Sequence, residues 1–475
     1  MSTSPSYEDL VAENVQLRLL VAELQRANKV LTERVAELEA RLGQSPRNSS
    51  KPPSSEGYEK PAPKSLRQKT DRPSGGQTGH KGHSLERVTA PDEVLVHEPL
   101  VCGGCGESLA GAPVVSTESR QVFDLPPIKV WITEHRIRHL RCSCGHVSMA
   151  EVPAGVGAPA QYGPRVRALG VYLLTVQHLP LERAAQLMGE VVGAPVSQGS
   201  LVTWQGEAAA GLDGFDEALV RGLTAADVLG ADETGIRVNG KLVWVHASRT
   251  DSLTRYTVSP KRGYAGMEDA GVLTKLAPAT VLVTDFFRPY WNLDVLHAAC
   301  CAHLSRELVA ASERDGQEGW AVGMERLLAE INRVAHRARE IGGTALAPDL
   351  LAKYQRRYDE FIRAGWAENP SFSPGTHATK RPKHVNLLDR LDGHREEVLR
   401  FATDLRVPFT NNGSERDIRP LKIKMKVSGG LRSMPGAEAF CRLRSYFSTA
   451  AKQGQAAFDA MVMLHNGNPW QPAIS

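Results

Sequence analysis

Leucines recur at every seventh position near the start of the chain: Leu10, Leu17, Leu24, Leu31 and Leu38. Taking them as the d positions of a heptad places Tyr7, Asn14, Val21, Asn28, Val35 and Leu42 at a, with no Gly or Pro until Gly43. A strict 3.5-residue period over this length predicts a coiled coil across residues 1–43 rather than a helix packed on its own domain. Buried Asn at a fixes register and favours a parallel dimer. The pattern then lapses. Residues 44–84 are rich in Pro, Ser, Gly and Lys/Arg and nearly free of large apolar side chains, so they read as a linker that cannot bury a core. Strand-like alternation follows over 85–155, helical periodicity over 156–222, short Val/Ile/Leu/Thr-rich strands over 223–303, helices again over 304–405, and a mixed C-terminal part over 406–475.

Two of these regions support finer expectations. In LPLERAAQLMGEVVGAPVSQGSLVTWQGEAA the pattern predicts a helix around residues 181–188 and a turn through 193–195. A second helix should be capped near Ser197 or Ser200, giving a helix-turn-helix outline. From residue 226, ADVLGADET, KLVWVHASRT and LTRYTVSP predict three antiparallel strands, the second and third joined by a tight hairpin. GYAGMEDAGVLTKLA reads as a helix, TVLVTD as a fourth strand and VLHAACCAHL as a fifth. Three antiparallel strands, then helix, strand, helix, strand, is the order of a ribonuclease H-like fold, in which the first and fourth strands are neighbours. The expected class is therefore multidomain α+β: an N-terminal coiled coil, a zinc ribbon, a helix-turn-helix, and a ribonuclease H-like α/β core interrupted by a helical insertion at 304–405.

Composition narrows the picture modestly. At 475 residues, 41% hydrophobic and 23% charged, the chain is an ordinary multidomain globular protein. It has no apolar run near the ~18 residues of a membrane helix and no signal-peptide pattern, so no membrane partner and a cytoplasmic location are expected. Net charge is only +4, but residues 58–83 alone carry six basic side chains (Lys60, Lys64, Arg67, Lys69, Arg72, Lys81) against two acidic ones. Such a segment suits a phosphate-binding arm. Cys102-Gly-Gly-Cys105 and Cys142-Ser-Cys144, 36 residues apart, have the form of a zinc ribbon in which four thiolates on Gly-containing knuckles hold one structural ion. His97 or His146 could replace one ligand.

The candidate chemistry lies in the strands. Asp232 in VLGADET and Asp285 in VLVTDFF each follow a buried-looking run, at what should be neighbouring strand ends. Carboxylates brought together repel unless a cation neutralises them, which suggests divalent metal. Two Mg²⁺ ions so held activate a water or 3′-hydroxyl and stabilise the leaving oxygen in phosphodiester cleavage. Successive strand residues face opposite ways, so only one of Asp232 and Glu233 can join Asp285. Further on, Asn411 or Asn412 can cap a helix whose first turn holds Glu415. Asp417, about 200° further round, faces away, and Pro420 should end or kink the helix. Residues 415–432 carry six basic side chains against two acidic, with Lys422, Lys424 and Lys426 among those suited to backbone phosphates. His303 and Arg306 in CCAHLSREL, with Arg416 and Arg419, are secondary candidates beside the site.

Taken in order, RNSSKPPSSE, GGQTGHKGHS, CGGC…CSC, GADETGIRV, VTDFFRPYW, CCAHLSREL and NNGSERDIRPLKIKMKVSGG make the chain resemble transposases of the insertion sequence 66 family, of the DDE class. The resemblance covers nearly the whole chain. It implies Asp232, Asp285 and Glu415 as the catalytic triad, at intervals of 53 (285 − 232) and 130 (415 − 285) residues, with a helical insertion in the second. It also implies two catalytic Mg²⁺ ions, one structural Zn²⁺, cleavage at the ends of the element and strand transfer into target DNA. The implied partners are double-stranded DNA (terminal repeats and target), a second copy through residues 7–42, and small companion proteins of the same element. Location would be the bacterial cytoplasm, at the nucleoid when DNA is bound. Phe286 stands where many relatives have Gly after the second Asp. Two other functions fit parts of the chain. A zinc-containing DNA-binding regulator would lack an intact triad, and a ribonuclease H-like nuclease without strand transfer would not need the long N-terminal half.

Overall fold

The computed structural model describes residues 7–42, 84–314, 316–375 and 381–474. Helix α1 (Tyr7–Leu42) runs unbroken through the leucine repeat, a span without Gly or Pro. Leu17, Leu24, Leu31 and Leu38, with Val21 and Val35, remain 43–64% exposed on the single chain. Among the described residues of 84–163, regular structure is confined to the hairpin of β1 (His139–Arg141) and β2 (Val147–Met149) and an isolated bridge between Val101 and Ser108. The basic residues Lys64, Arg67, Lys69, Arg72 and Lys81 lie outside the described residues.

Helices α2 (Pro164–Thr175), α3 (Leu181–Glu190), α4 (Gln198–Ala210) and α5 (Asp213–Thr224) follow. Gly193 takes a left-handed φ of 70° after α3, and the Ser197 hydroxyl caps α4 by accepting the Ser200 N–H at 3.0 Å. Ala184, Met188, Val196 and Leu201 close the α3–α4 pair over Leu173 and Leu174 of α2. The helical pair and its cap thus stand where the apolar periodicity put them.

Five strands form one mixed sheet in the order β5-β4-β3-β6-β7: β3 (Val228–Val238), β4 (Lys241–Arg249), β5 (Thr254–Ser259), β6 (Val281–Thr284) and β7 (Leu296–Ala299). The first three are antiparallel, while β6 and β7 run parallel to β3. Asn239 and Gly240, both at positive φ (47° and 74°), make the two-residue turn between β3 and β4. β3 does not end near Asp232 as expected. It continues to Val238, because β4 pairs with it along its whole length while β6 pairs only with its first residues. The helix α6 (Tyr264–Ala270) is shorter than expected, closed by Gly271 at φ 69°. The apolar run expected as a long fifth strand divides: β7 stops at Ala299, and α8 (Cys301–Ser312) begins at the second cysteine.

The short helix α7 (Arg288–Trp291) links β6 to β7, and the helical segment comprises α8, α9 (Glu318–Glu340), α10 (Pro348–Glu368), α11 (Lys383–Gly393) and α12 (Arg395–Thr403). Its core of Trp320, Met324, Leu327, Tyr358 and Leu388 packs on Val281 and Val283, one face of β6. Leu229, Ala231 and Leu282, on the opposite face, pack on Phe215 and Leu219 of α5 and on Tyr446 and Met461. Those two residues belong to α14 (Met434–Lys452) and α15 (Ala457–His465), which follow α13 (Asn412–Ser428). At about 1.5–3 kcal/mol per large apolar side chain buried, these two layers fix the sheet edge between them. Among the described residues, no helix is long and apolar enough to cross a membrane.

Candidate active site

Strand register brings the first two acids together. β3 and β6 pair at a constant offset, Val228 with Val281, Leu229 with Leu282 and Gly230 with Val283. Carried two residues on, the same offset sets Asp232 level with Asp285 (232 − 228 = 285 − 281). Asp285, in the loop after β6, adds its charge to the field at Asp232. Alternation along β3 turns Asp232 to the face of Val228 and Gly230 and Glu233 to the other. There the Glu233 carboxylate accepts from the Tyr290 hydroxyl and from Arg262 at 2.7 Å, its side chain only 5% exposed. Arg262 lies 4.4 Å from the Trp244 ring centroid and 4.1 Å from that of Phe287. Glu233 therefore has its own cation, and among the described residues Asp232 has none in salt-bridge contact.

The consequence is electrostatic. Burial, followed by the charges of Glu233, Asp285 and Glu415, pushes the Asp232 carboxyl up to about 8, opposed by the Glu233 N–H that bonds Oδ1 at 2.8 Å. Asp285 Oδ1 accepts the Phe287 N–H at 3.0 Å, and its carbonyl accepts Trp291 Nε1 at 2.8 Å. Phe286 turns its ring onto Trp291, stacked at 4.5 Å, with Arg390 of α11 5.0 Å from its centroid. The bulky residue after Asp285 thus ties the loop to the helical segment.

Glu415 reaches the same place from the first turn of α13. Its Oε1 accepts Arg306 at 2.9 Å and lies 3.7 Å from His303 Nε2. Burial and then the Arg306 charge lower the His303 ring below its usual range, with Asp285 and Glu415 pulling the other way. A residue that sequence reasoning treated only as a helix cap, Asn411, locks this corner. Its Nδ2 donates to the Ala231 carbonyl at 2.6 Å, its Oδ1 accepts the Ser414 hydroxyl at 2.6 Å, and its N–H meets Cys300 Sγ at 3.1 Å. The close approach needs Gly230, where a Cβ would lie 2.8 Å from both Asn411 Oδ1 and Ser414 Oγ. No local sequence signal marks that role, since each partner lies more than 100 residues from Asn411 or on its own turn.

Asp417 faces away from Glu415, as its spacing requires, and pairs with Lys452 (2.9 Å), Arg249 (3.2 Å) and the Thr254 hydroxyl (3.0 Å). Pro420 does not end the helix. α13 passes through it to Ser428, because Ile418 and Leu421 on either side are buried against the sheet and Asp417 is anchored. Glu415, Arg419, Lys422 and Lys426 then follow at i, i+4, i+7 and i+11 on one face, the three basic residues exposed. Arg416 is exposed beside that row, whereas Lys424 is half-buried with its ammonium 5.9 Å from the Phe440 ring centroid.

The cysteines form two matched knuckles. Cys102 N–H donates to Glu107 O and Gly106 N–H to Cys102 O, at 2.8 and 2.9 Å, and Cys142 with His146 and Gly145 repeats both distances. Gly106 and Gly145 hold positive φ (79° and 89°). Bonds from the Cys105 and Gly104 backbone lower the Cys102 thiol, and those from Cys144 lower Cys142, as suits thiolate ligands. The two pairs are not gathered at one point. Among the described residues, no three His, Cys, Asp or Glu side chains stand together at metal-ligating separation, at the cysteines or at the acids. Among the described residues, no strand ladder runs through 109–138, so no sheet draws the first knuckle to the second. At the acids, each carboxylate spends an oxygen on a protein donor: Glu233 N–H, Phe287 N–H or Arg306.

Comparison with known families decides the relationship. The model of the transposase IS66 family matches residues 159–439, which include Asp232, Asp285 and Glu415. The chain belongs to that family. The zinc-finger binding domain of transposase IS66 matches residues 99–145 of this transposase, spanning all four knuckle cysteines. A family of unknown function matches residues 2–86, the leucine repeat and basic linker. No curated protein matches the chain.

Proposed function

We propose that this transposase cleaves phosphodiesters at the ends of its insertion sequence and joins the freed 3′ ends to target DNA, using Asp232, Asp285 and Glu415 in a ribonuclease H-like core. The observation that supports this reading is that Asp232, just past the β3–β6 ladder, lies within the fields of both Asp285 and Glu415. Asp232, Asp285 and Glu415 are hard-oxygen donors of the kind Mg²⁺ takes, and they would hold it once drawn closer than they stand here; burial, then the neighbouring carboxylates, raises the Asp232 carboxyl to about 8. When bound, two such ions supply an activated water or 3′-hydroxyl and offset the charge of the departing 3′-oxygen. The chain's own contribution is placement. Asn411 and Gly230 fix α13 against β3, Arg306 orients Glu415, and Tyr290 with Arg262 keeps Glu233 on the other face. In the first step water adds to phosphorus and the 3′-oxygen leaves; in the second that 3′-hydroxyl attacks a target phosphorus and a target 3′-oxygen leaves.

The exposed row Arg419, Lys422 and Lys426 extends from Glu415 over about 16 Å of helix and suits a DNA strand leaving the site. The α3–α4 pair serves as a helix-turn-helix, and the thiolate knuckles as one zinc ribbon. The exposed leucine seam of α1 pairs two copies; a variant lacking residues 7–42 should lose self-association, read as a fall in sedimentation mass. The whole reading is tested by incubating the full chain with terminal-repeat DNA and Mg²⁺ and scoring nicking and joining. Products from the wild type and none from Asp232→Asn are expected; no nicking by the wild type would reject it.

A further inference from the structure

The flank of α13 turned away from Glu415 lines a cavity of about 610 Å³. Arg416 and Asp417 form one wall, Arg249 at the end of β4 another, and Arg444, Phe447 and Lys452 of α14 the third. Cations outnumber acids here. Four cations, Arg249, Arg416, Arg444 and Lys452, face two acids: Asp417 is committed to Arg249 and Lys452, at 3.2 and 2.9 Å, and Asp251 to Arg249 at 3.1 Å, which leaves Arg444 and Arg416 without a carboxylate in salt-bridge contact among the described residues. Arg444 Nε is buried and has no hydrogen-bond partner. Burial lowers the Arg444 guanidinium, against the pull of the Tyr256 hydroxyl that bonds it and of Asp417, and pushes Lys452 down to about 8 against the pull of Asp417, so the cavity holds partly desolvated positive charge. Such a site gains most from an anion that accepts forked N–H donors, and phosphate fits that geometry. Phe447 supplies an apolar wall for the attached sugar. The place is also apt: Arg249 pairs with Gly230 across the β3–β4 ladder, and Arg416 directly follows Glu415, so one helix diameter (about 10 Å) separates the cavity from the acids.

We propose that this cavity binds a backbone phosphate of the DNA substrate, beyond the scissile one, through Arg444 and Arg416. The proposal rests on the transposase reading above. It is tested by the affinity of the full chain for terminal-repeat duplex, measured by fluorescence anisotropy across a salt series. Arg444→Gln and the exposed Arg416→Gln should each weaken binding roughly tenfold near 0.1 M salt. Each should also flatten the slope of log K against log salt by about 0.9, as for one lost phosphate contact, while Arg444→Lys retains most of that slope. Melting temperatures identify a variant that fails to fold, and Arg416→Gln, at the surface, carries the test if Arg444→Gln does not. Wild-type affinity and slope in the folded variants, with Asp232→Asn still blocking nicking, would overturn the cavity alone. Wild-type protein that does not bind the duplex would overturn both readings. A thermal shift with inorganic phosphate that Arg444→Gln abolishes, joined to an unchanged DNA slope, would assign the cavity to a free anion and overturn the proposal as well.

Discussion

Asp232 of β3 and Asp417 of α13 are both half-buried acids, yet their surroundings are opposite. Asp417 has Lys452, Arg249 and Thr254 within 3.2 Å. Asp232 has three other carboxylates in its field and, among the described residues, no cation in salt-bridge contact. An acid with its charge matched by the chain holds the fold together; an acid left unmatched costs stability and is retained for what it can bind. Under the proposed mechanism, one flank of α13 serves structure and the other chemistry.

That contrast can be broken at either end. The largest effect is expected at the unmatched site: Asp285→Asn or Glu415→Gln should reduce Mg²⁺-dependent nicking of terminal-repeat DNA roughly a thousandfold or more, about 4 kcal/mol of transition-state stabilisation, while duplex binding stays near wild type. Asp417→Ala should instead cost stability, on the order of 3 kcal/mol in a denaturant titration, because it leaves the half-buried Lys452 without a counter-charge and Arg249 with only the exposed Asp251. The sign reverses for Asp232. Its folded pKa, about 8, lies above the unfolded value near 3.8, so the native state binds the extra proton between those limits and stability from this group falls as pH rises through that window. Metal-free Asp232→Asn should therefore lose stability less steeply from pH 4 to 8, by up to about 1 kcal/mol per pH unit, and be the more stable protein at pH 8. The smallest effect belongs to the exposed row beyond Glu415. Lys422→Gln or Lys426→Gln should each lower the salt slope of DNA binding by about 0.9 and leave melting temperature unchanged.

Much of this contrast was legible in the residues. Alternation along VLGADET separates Asp232 from Glu233, and the two-residue spacing of Glu415 and Asp417 sends them to different sides of a helix; both are local rules, and the side chains obey them. The α3–α4 pair was legible because Ser197 and Gly193 mark its ends chemically. What escaped reading was non-local. The length of β3 depends on β4, not on its own composition. The run VLHAACCAHL is apolar throughout, so periodicity cannot show where β7 gives way to α8. Pro420 argues against a helix that burial of Ile418 and Leu421 sustains. Asn411, the residue that joins α13 to β3 and Cys300, acts through partners distant in the chain and has no motif of its own. The N-terminal segments invert the balance: heptads and cysteine spacing are plain in the sequence, while the single chain leaves Leu24 60% and Trp131 87% exposed.

The central claim, that Asp232 is kept buried and unmatched for catalysis, is tested most directly by one assay: Mg²⁺-dependent nicking of terminal-repeat DNA by Asp232→Asn beside the wild type, at protein concentrations that saturate the duplex. The account predicts bound DNA and no nicked product from the variant. Nicking by Asp232→Asn at the wild-type rate would contradict it.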